Sequence, residues 1–417
     1  MNDAPSPVLP RDRHLFGGGP KRLLSLDGGG IRGAISVAFL GRIEDILSRQ
    51  QQTDVRLGDY FDFIGGTSTG AIIAGALALG YRTEQVKEFY IRLAPYAFKR
   101  EFWRVPILQS KFGARGLRDQ IEAVIGERKL SSPDILTGLG VVTKRIDTGS
   151  PWVITNNPRS PYWNDADDYI GNKHYKLATL VRASTAAPHF FEPELIPIVE
   201  SDRSPVSPAV SVALGRIRSG LGRLGLGQKK PALDPKNFGL FVDGGVSPYN
   251  NPSLMLFQIV TLKAFGICWP LGPEKLTVVS IGTGTHRPRL SLDSLGIGRT
   301  PKLAFHALMS LIKDAELATL AQMQWFGECP APWPINSEIG TLAADMLPGG
   351  KLFRFLRYDV RLEREWLMNE LDVKLNDHEV ERLRAMDDPS AVNDLYEIGR
   401  IAADRYVLQE HWTAATA

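Results

Sequence analysis

Ser68 stands at the centre of Gly66-Thr67-Ser68-Thr69-Gly70, between the apolar run Phe61-Asp62-Phe63-Ile64 and the small apolar run Ala71-Ile72-Ile73-Ala74. A strand that ends in a Gly-flanked turn and passes straight into a helix predicts a nucleophile elbow. The turn lifts the serine Oγ above a sheet, and small neighbours let strand and helix pack closely. Asp243 opens a second Gly-rich turn, Asp243-Gly244-Gly245, after the strand-like Phe238-Gly239-Leu240-Phe241-Val242. It places a carboxylate at a strand end, where the functional groups of α/β sheets gather. A third turn, Asp27-Gly28-Gly29-Gly30-Ile31-Arg32-Gly33, follows the strand-like Lys21–Leu26 and leads into a helix-like stretch from Ala34 to Leu47. Consecutive glycines at a helix start let backbone N–H groups converge on one point, aided by the positive end of the helix dipole. Such a loop suits a phosphate or a developing oxyanion.

These groups suffice for one chemistry. A serine hydroxyl is a poor nucleophile until a positioned base takes its proton. A carboxylate can do this if partial burial raises its pKa toward the working pH. Preorganised N–H donors then stabilise the tetrahedral intermediate, each worth about 2.7–4 kcal/mol of barrier. Neither a metal nor an organic cofactor is required.

Rival readings exist for each piece. The bland one is a Gly-rich turn with an inert serine. Gly28-x-Gly30-x-x-Gly33 also fits a dinucleotide fingerprint, which needs a second strand ending in an acid about 20 residues onward. The stretch Gly41–Gln50 is instead polar and helical in pattern, and Asp54 follows Gln51-Gln52-Thr53. A Ser–His–Asp triad would use a histidine after the acid, and His286, His306, His378 and His411 satisfy that order. His286 is the sharpest of them, since Lys275–Ile281 reads as a strand ending just before it, although Arg287-Pro288-Arg289 gives it the look of a solvated loop. His189, beside Pro188 and Phe190-Phe191, reads as a packed or pocket-lining residue, and His14 and His174 default to the surface.

The three turns in this order resemble the patatin-like phospholipase family. Arg182-Ala183-Ser184-Thr185-Ala186-Ala187-Pro188 and Ser280-Ile281-Gly282-Thr283-Gly284 look like further blocks of it, so the resemblance covers about residues 20 to 290. It implies an α/β fold with a central, mostly parallel sheet flanked by helices. It also implies hydrolysis of lipid acyl esters by a Ser–Asp dyad without a catalytic histidine. Carried over by position, Ser68 is the nucleophile, Asp243 its base, and Gly28, Gly29 and Gly30 the oxyanion donors. Asp27, Arg32, Gly33, Gly66, Gly70, Gly244 and Gly245 support these motifs. The substrate implied is a phospholipid or lysophospholipid, with no cofactor. Antiphage patatin-like effectors, which cyclic nucleotides activate, look broadly similar in length and helical tail, so a nucleotide activator is a second expectation. A lipid-binding module with a vestigial serine is a third, and the intact turns around Ser68 and Asp243 argue against it.

The elements that must position these groups divide the chain into a flexible leader (1–20), a hydrolase region (21–290) and a helical C-terminal region (291–417). Helical patterns run over Thr300–Met323, Val360–Arg384 and Ala391–His411. With 417 residues, 43% of them hydrophobic, the chain can bury a large core, and a net charge of +3 does not suggest a nucleic-acid polymer as partner. Cys268 and Cys329, the two cysteines, have no metal-type spacing and read as buried thiols. Met1–Pro7 lacks a signal-peptide pattern, and Ala71–Leu79 is too short to span a bilayer. The expectation is a cytoplasmic enzyme, peripheral to the inner membrane when active. Two segments could meet lipid. In the basic Gly/Pro-rich insert 201–236, Val210, Leu214, Ile217, Leu221 and Leu224 form one helical stripe flanked by Arg216, Arg218 and Arg223. The other is the aromatic and basic stretch Tyr96–Leu108, whose simpler reading is core aromatics with solvated charges.

Overall fold

The computed structural model describes residues 8–97, 114–188, 190–199, 237–286 and 300–412. The first half of the chain order is α1 (Pro10–Phe16), β1 (Lys21–Leu26), α2 (Gly33–Gln51), α3 (Leu57–Tyr60), β2 (Phe63–Thr67), α4 (Thr69–Ala78), α5 (Thr83–Ala97), α6 (Ala114–Ile125), β3 (Gly138–Arg145) and β4 (Ser150–Thr155). There follow α7 (Leu177–Ser184), β5 (Glu194–Pro197), β6 (Phe238–Asp243), α8 (Ser253–Thr261), β7 (Leu276–Ile281), α9 (Thr300–Phe326), β8 (Gly327–Ala331), β9 (Phe353–Tyr358), α10 (Arg364–Leu371), α11 (Asp377–Arg384) and α12 (Val392–Tyr406).

Among the described residues the nine strands form one sheet in the order β5-β6-β3-β2-β1-β7-β9-β8, with β4 also paired to β3. The pairs from β3 through β2, β1, β7 and β9 to β8 are parallel, while β4, β5 and β6 pair antiparallel. Parallel strands bury both faces and so read as nearly unbroken apolar runs. Alternation then decides which residue meets which layer. Leu24, Ile64, Val279 and Leu356 join a core with residues of α2, α4 and α12. Leu23, Phe63, Val278 and Phe355 join a second core with Leu256 and Phe257 of α8 and with Leu320 and Met323 of α9. Each fully buried Leu or Phe side chain of this kind contributes about 1.5–3 kcal/mol.

The structure corrects three expectations and adds to a fourth, the helical C-terminal region. The leader does not stay flexible to residue 20: α1 buries Leu15 completely, and the Trp269 indole donates to the Leu15 carbonyl over 2.8 Å. Beyond residue 290 the helices are joined by β8 and β9, which extend the same sheet through β7. The run from 360 to 384 is not one helix but two short ones, divided where Asp372 turns left-handed at φ 55°. Cys268 is exposed, since it sits in a left-handed turn at φ 58° after Gly266, and Cys329 is half-buried. The insert 201–236, most of the aromatic stretch from Phe98 onward, and His189 lie outside the described residues.

Candidate active site

Ser68 and Asp243 meet on one strand. β2 runs beside β3 until Thr67 stands opposite Val142, and β6 arrives from the other direction until Asp243 stands opposite Thr143. Since β4 pairs with β3 from Gly140 to Arg145, it holds the far side of β3 there, and β6 lies in line with the end of β2. The two strand ends therefore face each other. The Ser68 hydroxyl donates to Asp243 Oδ2 over 2.7 Å, and the Gly245 N–H donates to Asp243 Oδ1 over 2.7 Å.

The elbow has the strain expected of it. Ser68 takes φ 56° and ψ −124°, a region that costs a non-glycine residue about 1–3 kcal/mol. The glycines flanking it permit the tight packing around the turn. A Cβ on Gly66 would fall 2.2 Å from the Gly70 carbonyl oxygen, and one on Gly70 would fall 2.3 Å from that of Leu26. The N-terminus of α4 begins at Thr69, so its dipole favours negative charge beside the serine. Burial is the main cause that raises the Asp243 carboxyl to about 6; the Gly245 N–H, the Ser68 hydroxyl and the nearby Arg182 charge hold it back.

The glycine loop lies against this pair. A Cβ on Gly28 would come 3.2 Å from Ser68 Cβ, so glycine is what permits the approach. Of the three expected donors, Gly28 is already committed, because its N–H goes to the Asn250 carbonyl at 3.1 Å. Gly29 and Gly30 have no acceptor for their N–H groups among the described residues. The loop is braced from several sides. Thr283 Oγ1 donates to the Gly28 carbonyl over 3.0 Å, Tyr90 donates to the Gly30 carbonyl, and the Ile31 N–H reaches the Met386 carbonyl at 3.0 Å. Below it, Arg357 Nη2 donates to Asp27 and to Asp359, each over 2.7 Å, and Nη1 donates to Ser280 over 2.8 Å. Burial pushes the Asp27 carboxyl up to about 7 against the pull of Arg357, which it shares with Asp359.

A Cβ on Gly33 would fall 2.5 Å from the Tyr90 hydroxyl, and one on Gly244 would fall 2.4 Å from the Val142 carbonyl oxygen. Arg32 is buried and lies 3.4 Å from His286 Nδ1. Among the described residues no histidine bonds Ser68 or Asp243. His286 contacts Arg32, and burial and the Arg32 charge lower its pKa to about 3, which leaves a neutral ring accepting from the guanidinium. His411 is buried against the Tyr358 hydroxyl at 2.8 Å, and His378 is exposed. His174 lies on the surface as expected and pairs with Asp165 at 2.9 Å, whereas His14 is half-buried and contacts Asp62 at 3.0 Å.

Sequence reasoning missed Ser184, Asn250, Thr283, Glu316, Arg357 and Asp359 as site residues. Ser184 and Thr283 lay inside recognised blocks, and that was their only signal. A cavity of about 260 Å³ opens over the dyad and the glycine loop. Its apolar wall includes Ile72, Leu93, Leu117, Phe191 and Ile312, and its polar wall includes Arg32, Lys313 and Glu316. Met309 to Glu316 belong to α9, so the C-terminal region lines the same cavity.

A strained serine bonded to a buried carboxylate, beside free backbone donors and an apolar cavity, defines a serine acyl-hydrolase type of site on an α/β sheet. The patatin-like phospholipase family model matches residues 24–257, more than half of the chain, and the chain belongs to that family. It is similar to the cGAMP-activated phospholipase of Escherichia coli (strain TW11681), 31% identical over 177 residues, 41% of this chain and 48% of that protein. The cGAMP-activated phospholipase of Vibrio cholerae serotype O1 is 30% identical over 183 residues, 41% of this chain and 49% of that protein. Patatin-like protein 2 of Arabidopsis thaliana is 25% identical over 291 residues, 64% of this chain and 60% of that protein. The matches thus span about half to three fifths of these relatives' length.

Proposed function

We propose that the protein is a lipid acyl hydrolase that cleaves phospholipid or lysophospholipid esters through an acyl-enzyme on Ser68. The 2.7 Å bond from the Ser68 hydroxyl to Asp243, on the wall of a largely apolar cavity, carries this reading. Asp243 takes the hydroxyl proton as Oγ attacks the ester carbonyl carbon. The oxyanion that forms meets the Gly29 and Gly30 N–H groups and the helix dipoles of α2 and α4. Collapse expels the alcohol, which leaves with the proton from Asp243. A water activated by the same carboxylate then releases the fatty acid. With a pKa near 6, Asp243 is ionised at neutral pH yet more basic than an ordinary aspartate. The test is incubation with phospholipid vesicles and mass spectrometry of released fatty acid, which Ser68→Ala must abolish.

Activation by a cyclic nucleotide is a second reading, favoured by the two relatives named as cGAMP-activated phospholipases. Fatty-acid release with and without added cGAMP decides it: a silent protein that cGAMP switches on supports it, and equal rates oppose it. Among the described residues no helix is long and apolar enough to cross a membrane. We infer that the enzyme reaches bilayer lipid from the surface, with the basic insert 201–236 as one contact. Deleting residues 205–232 is then expected to weaken binding to anionic vesicles while sparing hydrolysis of a soluble short-chain ester.

A further inference from the structure

We infer that Ser184 is a positioning residue, and that the segment Ser184–Ala186 clamps Ser68 and Asp243 at their working separation. The inference rests on the dyad assignment above and gives a task to the block Arg182–Pro188.

The elbow creates the need. At φ 56° the Ser68 N–H can join neither the ladder of β2 nor the helix of α4, and it is buried. A buried donor without an acceptor is costly, so some side chain must supply one. Ser184 Oγ does, accepting from the Ser68 N–H at 2.8 Å. Its own proton goes to the Val142 carbonyl at 2.6 Å, so one hydroxyl joins elbow and β3 with its single donor and one of its lone pairs. Two residues on, the Ala186 carbonyl accepts from the Asp243 N–H at 3.0 Å. Val142 and Thr143 are the consecutive β3 positions that face Thr67 and Asp243. Both members of the dyad are thus held twice, once through β3 and once through the segment at the end of α7.

The segment is stiff enough for this. Thr185 Oγ1 donates back to the Arg182 carbonyl over 3.0 Å, and the Ala187 N–H closes on the Thr185 carbonyl at 2.9 Å, which leaves the Ala186 carbonyl for the Asp243 N–H. Behind it, the fully buried Arg182 donates to the Glu192 carbonyl over 3.2 Å and lies over the Phe191 ring at 5.3 Å. Ser184 itself is completely buried, and it touches neither the cavity nor the reacting oxygen. Removing its hydroxyl frees the Ser68 backbone to relax toward less strained angles. That relaxation carries Oγ away from Asp243.

The experiment compares wild type with Ser184→Ala and Ser184→Thr, each checked for fold by circular dichroism. Two quantities are read: the rate at which a fluorophosphonate modifies Ser68 across pH 4.5–8.5, and hydrogen exchange of the Ser68 amide. In Ser184→Ala, modification is expected to slow roughly 10- to 100-fold, the scale of a buried donor left unpaired. The acid limb is expected to move to higher pH, because Asp243 loses the Ser68 hydroxyl that holds its pKa down. The Ser68 amide is expected to exchange faster, and Ser184→Thr to restore all three. Unchanged exchange and rate in the alanine variant overturn the clamp. A slower rate with an unshifted profile also overturns it, since that is what general support of the fold would produce. If the alanine variant does not fold, Ser184→Cys, with its weak acceptor, is read in its place. If wild type is modified neither with nor without added cGAMP, the dyad assignment fails, and exchange of the Ser68 amide alone still decides the clamp.

Discussion

The Arg357 guanidinium donates to the Asp27 carboxylate over 2.7 Å and so ties β9 to the start of the glycine loop after β1. The same nitrogen holds Asp359, whose Oδ1 accepts from the Gly284 and Val360 N–H groups at 2.9 and 2.8 Å. One cation thus organises three of the loops at the C-terminal edge of the sheet. Arg357→Met leaves two buried carboxylates without a counter-charge, and breaking a buried pair costs about 3–5 kcal/mol. Urea denaturation is expected to show a loss of that size, with Arg357→Lys between it and wild type. Wild-type stability in Arg357→Met would mean that the network is not a brace.

Asp243 gives a pH test with a definite sign. As a general base it must be ionised, so kcat/KM for a soluble ester is expected to rise tenfold per unit below pH about 6 and to level off above it. A pH profile of initial rates checks this. An acid limb near 4 would mean that the carboxyl is not held in the buried state described.

The same burial makes a stability prediction. Because the folded-state pKa lies above the unfolded one, the native state binds more protons, and stability falls as pH rises from about 4 to about 6. The rise from 3.8 to about 6 corresponds to at most about 3 kcal/mol. Asp243→Asn removes that charge. It is expected to slow catalysis by about 10²–10⁴-fold and to be more stable than wild type at pH 7.5 by about 1–3 kcal/mol. The advantage should shrink toward pH 4. Equal stability at both pH values would contradict the assigned burial cost.

His286→Ala is expected to keep activity within a few-fold of wild type, since the ring accepts from Arg32 and bonds neither Ser68 nor Asp243. Steady-state kinetics on a soluble ester checks it. A loss as large as that of Asp243→Asn, with the fold intact, would replace the dyad by a triad.

What the sequence disclosed was local. Gly66, Gly70 and the Gly28–Gly30 run mark places where backbones touch, and side-chain absence is legible one residue at a time. The meeting of Ser68 and Asp243 came from the family resemblance and not from local pattern, because it depends on β6 arriving antiparallel at the end of β2, across 175 positions of chain. β9 escaped notice for a related reason. In Phe353-Arg354-Phe355-Leu356-Arg357-Tyr358 the buried Arg357 breaks the apolar pattern, and its partner Asp27 lies 330 positions away. The Gly28 N–H likewise looks free in sequence, and only the fold shows that Asn250 has taken it.

Everything above turns on Ser68, activated by Asp243, as the nucleophile. Peptide mapping after reaction with a fluorophosphonate tests it most directly, in wild type, Ser68→Ala and Asp243→Asn. Modification is expected at Ser68 in wild type, with none in Ser68→Ala and a rate at least about 10²-fold lower in Asp243→Asn. Modification at another residue, or equal rates in wild type and Asp243→Asn, would contradict it.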